Sequence, residues 1–268
     1  MHGLVAAVDW HLIKTRIFDP DHVFAQALMR TILIAVLAQF FGVLLGLASA
    51  LFQTSRWRVL RIISYFYVLV VRGTPLIVQI FFMYYGANLL LGFNLFPRAV
   101  NLGVISIDGV VVAGTVALAI NEGAYMSEII RAGITAIDRG QMEAAKSVGM
   151  TYGLAMRRIV LPQAARVIVP PLGNEFNGMI KNTSLLAFIG VYEIFLDAEQ
   201  GYSVTFKPVE YFIAVAFWYL VLTTIWSVVQ AQIERKLAAG DRDERLTFRE
   251  QLVRAWAPVH AWRMGGVR

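Results

Sequence analysis

Residues 32–52 read ILIAVLAQFFGVLLGLASALF. Gln39 is the one strongly polar side chain inside this run, and Arg30 lies just before it. A helix that crosses the hydrocarbon core of a membrane needs about 20 mainly apolar residues. The run therefore predicts a transmembrane helix.

Four further apolar runs follow, at residues 59–91, 110–130, 173–196 and 211–233. The first of them would make about 50 Å of helix, which exceeds one crossing and falls short of two with a turn. We interpret it as one long, tilted helix that is broken or bent at Gly73-Thr74-Pro75, because proline removes a backbone donor and clashes with the preceding turn. The sequence thus predicts an all-α integral membrane protein with about five transmembrane helices.

The composition of the whole chain agrees with a membrane protein. Of the 268 residues, 58% are hydrophobic and only 16% are charged, and the mean hydropathy is +0.61. A soluble domain is about half apolar and about a quarter charged. The chain has no cysteine, and its four histidines lie outside the predicted spans without ligand spacing, so we expect no metal site. The net charge of +6 is explained by basic cytoplasmic loops, and we expect no nucleic-acid partner.

Lysine and arginine are unevenly distributed between alternate segments. Residues 53–61, 131–172 and the tail from residue 234 carry 17 of the 24, whereas the opposite segments carry 4. Basic residues favour the cytoplasmic side, so we predict an outside N-terminus and a cytoplasmic C-terminus. The expected parts are an extracytoplasmic segment 1–23, a transmembrane domain 24–233 with a cytoplasmic loop 131–172, and a cytoplasmic tail 234–268. Residues 1–22 lack the features of a cleavable signal.

The loop 131–172 carries helix start and stop signals. Asp138 can cap a short helix, Gln141–Val148, and Gly149 can form a left-handed turn at its end. Within this helix, Glu143-Ala144-Ala145 places a charge beside two small side chains that allow the close approach of a partner's surface.

A second short helix follows in the same loop. Thr151 can cap a helix at Tyr152–Leu161, which Pro162 would end. The loop is therefore predicted to form a compact knob of two helices under the membrane.

Residues 143–162 read EAAKSVGMTYGLAMRRIVLP. The spacing of Glu143-Ala144-Ala145, Gly149, Ile159 and Leu161-Pro162 resembles the cytoplasmic signature loop of bacterial ABC importer permeases. Three longer phrases are similar to the polar amino-acid uptake subfamily, which includes histidine, glutamine and arginine permeases. They are VRGTPLIVQIFF (71–82), AYMSEIIRAGITAIDRGQMEAAKSVGM (124–150) and LPQAARVIVPPLGNEFNGMIKNTSLL (161–186). The resemblance covers about residues 24–235.

This resemblance implies a type I ABC importer permease fold in the bacterial cytoplasmic (inner) membrane, surrounded by membrane lipid. In such permeases the signature loop docks into a cleft of the ATPase subunit. The coupling residues implied here are Gln141, Glu143, Ala144, Ala145, Lys146 and Gly149. The implied partners are a pair of ABC ATPase subunits, a second permease subunit (identical or homologous), and an extracytoplasmic solute-binding protein that delivers a polar amino acid. The chain has no G-x-x-x-x-G-K-[ST] phosphate loop, so we expect it to bind no cofactor itself and ATP and Mg to bind the partner ATPase.

Polar and ionisable side chains lie inside the third and fourth predicted spans. Charges at membrane depth are costly and usually face a bundle interior or a cavity. The candidate substrate-path residues are Asn121, Glu122, Tyr125, Glu128, Asn177, Lys181 and Ser184. A cavity between the two helices would offer carboxylates and a cation to an amino-acid zwitterion. Alternatively, the carboxylates pair with Lys181, Arg72 or Arg131 and hold the helices together.

The function predicted is that of a membrane subunit, and not an enzyme, in an ATP-driven importer of polar amino acids. The alternative substrate is another small solute, such as an opine or an amino-acid derivative. A secondary carrier would show broken helices in both halves, whereas the sequence shows one break, at Gly73 and Pro75. An intramembrane enzyme would need a nucleophile–base pair, and no predicted span contains histidine. A scaffold without transport would leave the polar residues unexplained.

Overall fold

The computed structural model describes residues 8–92, 95–97, 99–101 and 106–238, and most of them are helical. The helices are α1 (Trp10–Phe18), α2 (His22–Gln53), α3 (Arg58–Arg72), α4 (Leu76–Phe81), α5 (Ala87–Leu91), α6 (Gly109–Thr135), α7 (Arg139–Ser147), α8 (Tyr152–Ala155), α9 (Leu161–Asn182), α10 (Ile194–Thr205) and α11 (Pro208–Ala238). Two π-helical turns, Phe82–Gly86 and Met156–Val160, and a 3-10 helix, Thr183–Ile189, continue these helices. A small antiparallel hairpin pairs β1 (Ala99–Asn101) with β2 (Ser106–Asp108).

The helices long and apolar enough to cross a membrane agree with the prediction of about five spans. Within the described residues, α2, α6 and α11 qualify as single helices. Two bent pairs of helices qualify when each pair is counted as one span. The third span begins near its predicted position, whereas the helix of the first span already starts at His22, well before the predicted start at Ile32.

The second span differs from the single tilted helix that we expected. After α3 ends at Arg72, the helical segment Leu76–Gly86 turns away by 110°. Pro75 has an extended backbone, with φ −63° and ψ 136°, so the helix stops there. The Gln79 side-chain amide donates to the carbonyls of Val71 (2.7 Å) and Thr74 (3.1 Å). These bonds satisfy backbone groups at the break, as a membrane interior requires.

The fourth span begins earlier than predicted, and Pro162 does not end the loop helix. A continuous helical segment runs from Tyr152 to Ile189. The π-helical turn Met156–Val160 widens the backbone directly before Pro162, which accommodates the proline ring and its missing donor. The span then bends by 49° into α10. As a result, the part of the predicted loop 131–172 that lies between long helices is only residues 136–151.

The centre of the bundle is the contact between α2 and α6, which run side by side in the same direction. A Cβ atom placed on Gly46 would lie 2.3 Å from the Met126 Cβ, and one on Gly42 would lie 2.6 Å from the Glu122 Cγ. Glycine at these two positions therefore allows the backbones to approach closely, as at other helix contacts in membranes.

The short helix α1, which was not predicted from the sequence, is fixed to α10 and to the start of α11. The Lys207 ammonium lies 2.8 Å from the Asp9 carboxylate, and the Arg16 guanidinium lies 3.6 Å from the Asp197 carboxylate. The hydrogen bond from Lys207 lowers the pKa of the Asp9 carboxyl. We call this end of the bundle the α1 end, and the opposite end, which carries α7, the loop end.

Candidate coupling loop and polar membrane site

The first helix of the loop, α7, has the predicted caps. The Asp138 carboxylate accepts a hydrogen bond of 2.7 Å from the Gly140 backbone N–H at its start. Gly149 has a left-handed backbone with φ +84°, a conformation that side chains with a Cβ rarely adopt. The N–H groups of Gly149 and Met150 bond back to α7 and close its last turn. The helix starts slightly before the predicted Gln141.

The coupling residues implied by the resemblance divide into an outer and an inner set. Five of them are exposed to solvent: Gln141, Glu143, Ala144, Lys146 and Gly149. Ala145 is only 3% exposed and packs inside the knob. The small side chain at position 145 therefore supports the folding of the knob, whereas Glu143 and Ala144 lie on its surface.

Two apolar side chains at the tip of the loop were missed by the sequence analysis. Val148 is 78% exposed and Tyr152 is 61% exposed. The Lys146 ammonium lies 5.8 Å from the centre of the Tyr152 ring. Apolar residues on both sides of a glycine in an otherwise polar loop were the available signal, since exposed apolar side chains often mark a protein contact.

The second helix of the loop starts at Tyr152, as predicted. Thr151 occupies its N-cap position, but its side chain makes no capping hydrogen bond. Because α8 continues through the π-helical turn into α9, this helix connects the knob directly to the fourth span.

In the third span, Asn121 and Glu122 contact different neighbours. The Asn121 amide donates to the Gln79 carbonyl oxygen at 3.0 Å and so supports the break in the second span. The Glu122 carboxylate is buried against α2, where it accepts a hydrogen bond of 3.0 Å from Gln39. These contacts favour the interpretation in which both side chains hold helices together.

A cluster of polar groups surrounds Arg72 at the break in the second span. The Arg72 guanidinium lies 5.2 Å from the centre of the Tyr125 ring, and its charge acts on the carboxylates of Glu128 and Glu175. Glu128 also pairs with Arg131 at 2.8 Å, as one of the sequence alternatives proposed. Arg72 and Glu175 were not among the predicted substrate-path residues, although a charge beside a predicted helix break was a usable signal.

In the fourth span, the predicted residues point towards α11 and towards the surface. The Asn177 amide donates to the Ser227 hydroxyl at 3.3 Å, and its buried carbonyl oxygen has no hydrogen-bond partner. Ser184 bonds to the Lys181 carbonyl at 2.8 Å, and the Lys181 side chain is exposed. The predicted substrate-path residues thus do not converge on one point within a single chain.

Some charged side chains on the membrane-spanning helices are exposed in the single chain. Arg72 and Lys181 lie on membrane-spanning helices and are exposed in the single chain, as are Gly73, Thr74 and Pro75 at the break. Charges in such positions normally face protein or a water-filled cavity rather than lipid. In the described part of the chain, no group of three or more histidine, aspartate or glutamate side chains could hold a metal ion.

A helical membrane bundle that presents a capped helix on a loop between two spans has the architecture of an ABC importer permease. Residues 42–239 match the family described as binding-protein-dependent transport system inner membrane component. The chain therefore belongs to this family, the membrane components of transporters in which a separate subunit hydrolyses ATP.

Individual relatives agree with this assignment. The chain is 38% identical over 243 residues to arginine transport system permease protein ArgU of Corynebacterium glutamicum, covering 87% of this chain and 73% of that one. It is 35% identical over 206 residues to nopaline transport system permease protein NocQ of Agrobacterium fabrum, covering 75% and 85%. A chain in the crystal structure of an amino acid ABC transporter with histidines is 39% identical, with a TM-score of 0.70, covering 80% of this chain and 94% of that one.

Proposed function

We propose that this permease imports polar amino acids. The observation that carries the proposal is the likeness, at 39% identity and a TM-score of 0.70, to a chain of an amino acid ABC transporter over 94% of that chain. The similarity to an arginine permease supports the same substrate class. The polar cluster around Arg72 supplies a cation and the carboxylates of Glu128 and Glu175, and an amino-acid zwitterion requires partners of both signs.

The fold of a type I importer permease implies an ATPase and a solute-binding protein as partners. In our proposal, α7 inserts its exposed residues, centred on Glu143 and Ala144, into the ATPase, and a second permease subunit covers the face that carries Arg72 and Lys181. That second subunit is either identical or homologous. ATP and Mg bind the partner ATPase, and this chain holds no cofactor.

The connection between the knob and the membrane supports a mechanical role for α7. The chain passes from α7 through Gly149 into the continuous helical segment from Tyr152 to Ile189. A displacement of α7 is therefore transmitted to the fourth span as the movement of one long helix. In the proposed cycle, ATP binding closes the ATPase pair and draws α7 inward, which opens the helices towards the opposite side, and hydrolysis resets them.

We further propose that the loop end lies in the cytoplasm of a bacterial cell and the α1 end outside the cytoplasmic (inner) membrane, as the distribution of basic residues indicates. The chain contains no native cysteine, so single introduced thiols report the sidedness cleanly. A membrane-impermeant maleimide added to intact spheroplasts should label Thr15→Cys and leave Ser147→Cys unlabelled. The reverse pattern would exclude this orientation.

A second candidate substrate is an opine, because the chain is 35% identical to a nopaline permease. Opines are amino-acid derivatives, so the same polar groups are suited to bind them. Both candidate substrates are compatible with the fold, and uptake measurements distinguish between them.

The test is reconstitution of the chain with its ATPase, its solute-binding protein and any second permease subunit in vesicles that contain ATP. The proteinogenic amino acids and nopaline are offered one at a time. We expect ATP-dependent uptake of one or more polar amino acids, and none in the absence of the ATPase. Uptake of nopaline without uptake of any amino acid would support the second candidate, whereas ATP-independent uptake would contradict both.

A further inference from the structure

An apolar groove runs between α2 and α6 in the half of the bundle at the α1 end, separate from the polar cluster around Arg72. Its volume is about 830 Å³, within the range of about 300–1,000 Å³ that is typical of ligand pockets. The walls are formed mainly by aliphatic and aromatic side chains, among them Leu33, Leu37, Phe41, Val112, Val116 and Ile120. The Thr115 hydroxyl within the groove already bonds to the Val111 carbonyl at 2.7 Å.

The groove is as long as the distance from one membrane surface to beyond the middle of the bilayer. Its lining residues on α2 run from Arg30 to Leu45, about 22 Å along the helix. The hydrocarbon core of a bilayer is about 30 Å thick, so this length covers one leaflet and reaches past the midplane. Ile120 lines its deep end, where the Ile120 carbonyl accepts a hydrogen bond of 2.6 Å from the Tyr67 hydroxyl on α3.

Two opposite charges lie together at the mouth of the groove. On α2, Gly42 faces Ala119 and Glu122, and Gly46 faces Gly123 and Met126, which fixes the register of the two parallel helices. The same register, continued towards the α1 end, places Arg30 level with Asp108. Both residues line the groove and both are exposed.

Among the described residues, neither charge has an ion-pair partner. Asp108 occupies the N-cap position of α6, but its side chain makes no capping hydrogen bond. Within residues 8–92, 95–97, 99–101 and 106–238, neither the Arg30 guanidinium nor the Asp108 carboxylate forms an ion pair. A free cation and a free anion beside an apolar groove complement a molecule with a phosphate, an ammonium group and a hydrocarbon chain.

We propose that this groove binds one phospholipid with a zwitterionic, amine-bearing headgroup, of the phosphatidylethanolamine class. The phosphate is held by Arg30, the ammonium group by Asp108, and an acyl chain lies along the wall formed by Leu37 and Phe41. A helix of a second copy of this chain is the rival occupant. Charge complementarity favours the lipid, because an apolar helix in the groove would leave both charges at its mouth without partners.

The test uses two single-cysteine variants with a fluorescent bimane label, reconstituted as full chains in phosphatidylglycerol vesicles. Phe41→Cys reports from the wall of the groove. Val36→Cys is the matched control, because Val36 also lies on α2, has a similar exposure (46% against 49%) and does not line the groove. A small fraction of lipid with brominated acyl chains, which quench the label on contact, is added as either phosphatidylethanolamine or phosphatidylglycerol.

We expect the label at position 41 to lose more fluorescence with brominated phosphatidylethanolamine than with brominated phosphatidylglycerol. The label at position 36 should respond equally to both, and Asp108→Asn should abolish the difference at position 41. Equal quenching by the two lipids at position 41 would mean that only bulk lipid fills the groove, which overturns the proposal. If neither lipid quenches the label at position 41 while both quench the label at position 36, protein covers the groove. This result would also overturn the proposal.

Discussion

Gly149 determines how the coupling loop is folded. Its φ of +84° turns the chain out of α7 and towards Tyr152, where the long helix of the fourth span begins. No other atom lies near the space that a side chain would occupy, so the requirement for glycine comes from the backbone alone. The position can therefore be tested without creating a steric clash.

Replacing Gly149 with alanine should strain the turn by about 1–2 kcal/mol. We expect the knob to become less ordered and the ATPase to bind more weakly, while insertion into the membrane is unchanged. Co-purification of the ATPase with the permease measures the effect. Gly153→Ala is the matched control, because Gly153 lies in α8 with an ordinary backbone and open space around it. Equal ATPase binding by the two variants would show that the turn is not required.

A comparison of Glu122 and Glu175 distinguishes a carboxylate that packs helices together from one that contacts substrate. Glu122 is 3% exposed and bonds to Gln39, whereas Glu175 lies within the electrostatic reach of Arg72 on the uncovered face. Glutamine at position 122 can still accept the bond from Gln39. We therefore expect Glu122→Gln to leave the ratio of cationic to neutral amino-acid uptake unchanged, and Glu175→Gln to lower it. A fall in the ratio with Glu122→Gln would instead place Glu122 on the substrate path.

At the scale of the helices, the close contact of α2 and α6 depends on glycine. A Cβ on Gly46 would meet the Met126 Cβ, the Ser127 backbone nitrogen and the Gly123 carbonyl, all at 3.0 Å or less. Because two of these three atoms belong to the backbone, a larger residue forces the helices apart.

We expect Gly46→Ala to destabilise the bundle by about 1–3 kcal/mol, as overpacking of a core contact usually does. Thermal unfolding of the purified chain in detergent measures the loss. Gly178→Ala is the control, since Gly178 lies in α9 and a Cβ there would have, apart from its own stretch of helix, no described atom within 4 Å. If both variants unfold at the temperature of the unsubstituted chain, the contact between α2 and α6 is looser than described.

The attachment of α1 to α11 should depend on pH. The bond from Lys207 lowers the pKa of Asp9, so this ion pair stabilises the attachment above the usual aspartate pKa. The contribution is lost as the pH falls through the lowered pKa. The protection of α1 amides from hydrogen exchange, expressed relative to the intrinsic exchange rate at each pH, should therefore fall on acidification. Asp9→Asn keeps the helix cap but removes the charge, and its protection should not show this acid-dependent loss, whereas a loss equal to that of the unsubstituted chain would assign the effect to other groups.

Elements whose bounds depend on neighbouring residues were predicted from the sequence. Features whose geometry depends on contacts between distant residues were not. The caps of α7 at Asp138 and Gly149 follow from neighbouring residues and were predicted. Pro162 was expected to end a helix, but a widened turn before it keeps the helix intact. The bend at Pro75 was predicted, but its angle of 110° is supported by Gln79 and by Asn121 from another span.

The same distinction applies to the candidate site. Asn121, Tyr125 and Glu128 are spaced four and three residues apart, and helical spacing alone is sufficient to place them on one face of the third span. It did not reveal that Glu122 meets Gln39 or that Arg72 reaches Tyr125, because these contacts depend on how separate helices pack.

At the scale of the whole molecule, the single chain has two surfaces that require partners. The loop end presents a folded knob with exposed Val148 and Tyr152. The membrane-spanning part exposes Arg72 at the break in the second span and Lys181 on the fourth span. An importer in which an ATPase covers the first surface and a second permease subunit covers the second accounts for both.

The most direct test of this account is ATP-driven uptake by the reconstituted transporter with Glu143→Lys in place of the unsubstituted chain. Asp19→Lys, an equal charge reversal at an exposed residue of the α1 end, is the control. We predict that Glu143→Lys inserts normally but that its uptake falls to the level seen without ATP, while Asp19→Lys retains uptake. ATP-dependent uptake by Glu143→Lys at the rate of the unsubstituted chain would contradict the coupling role of α7.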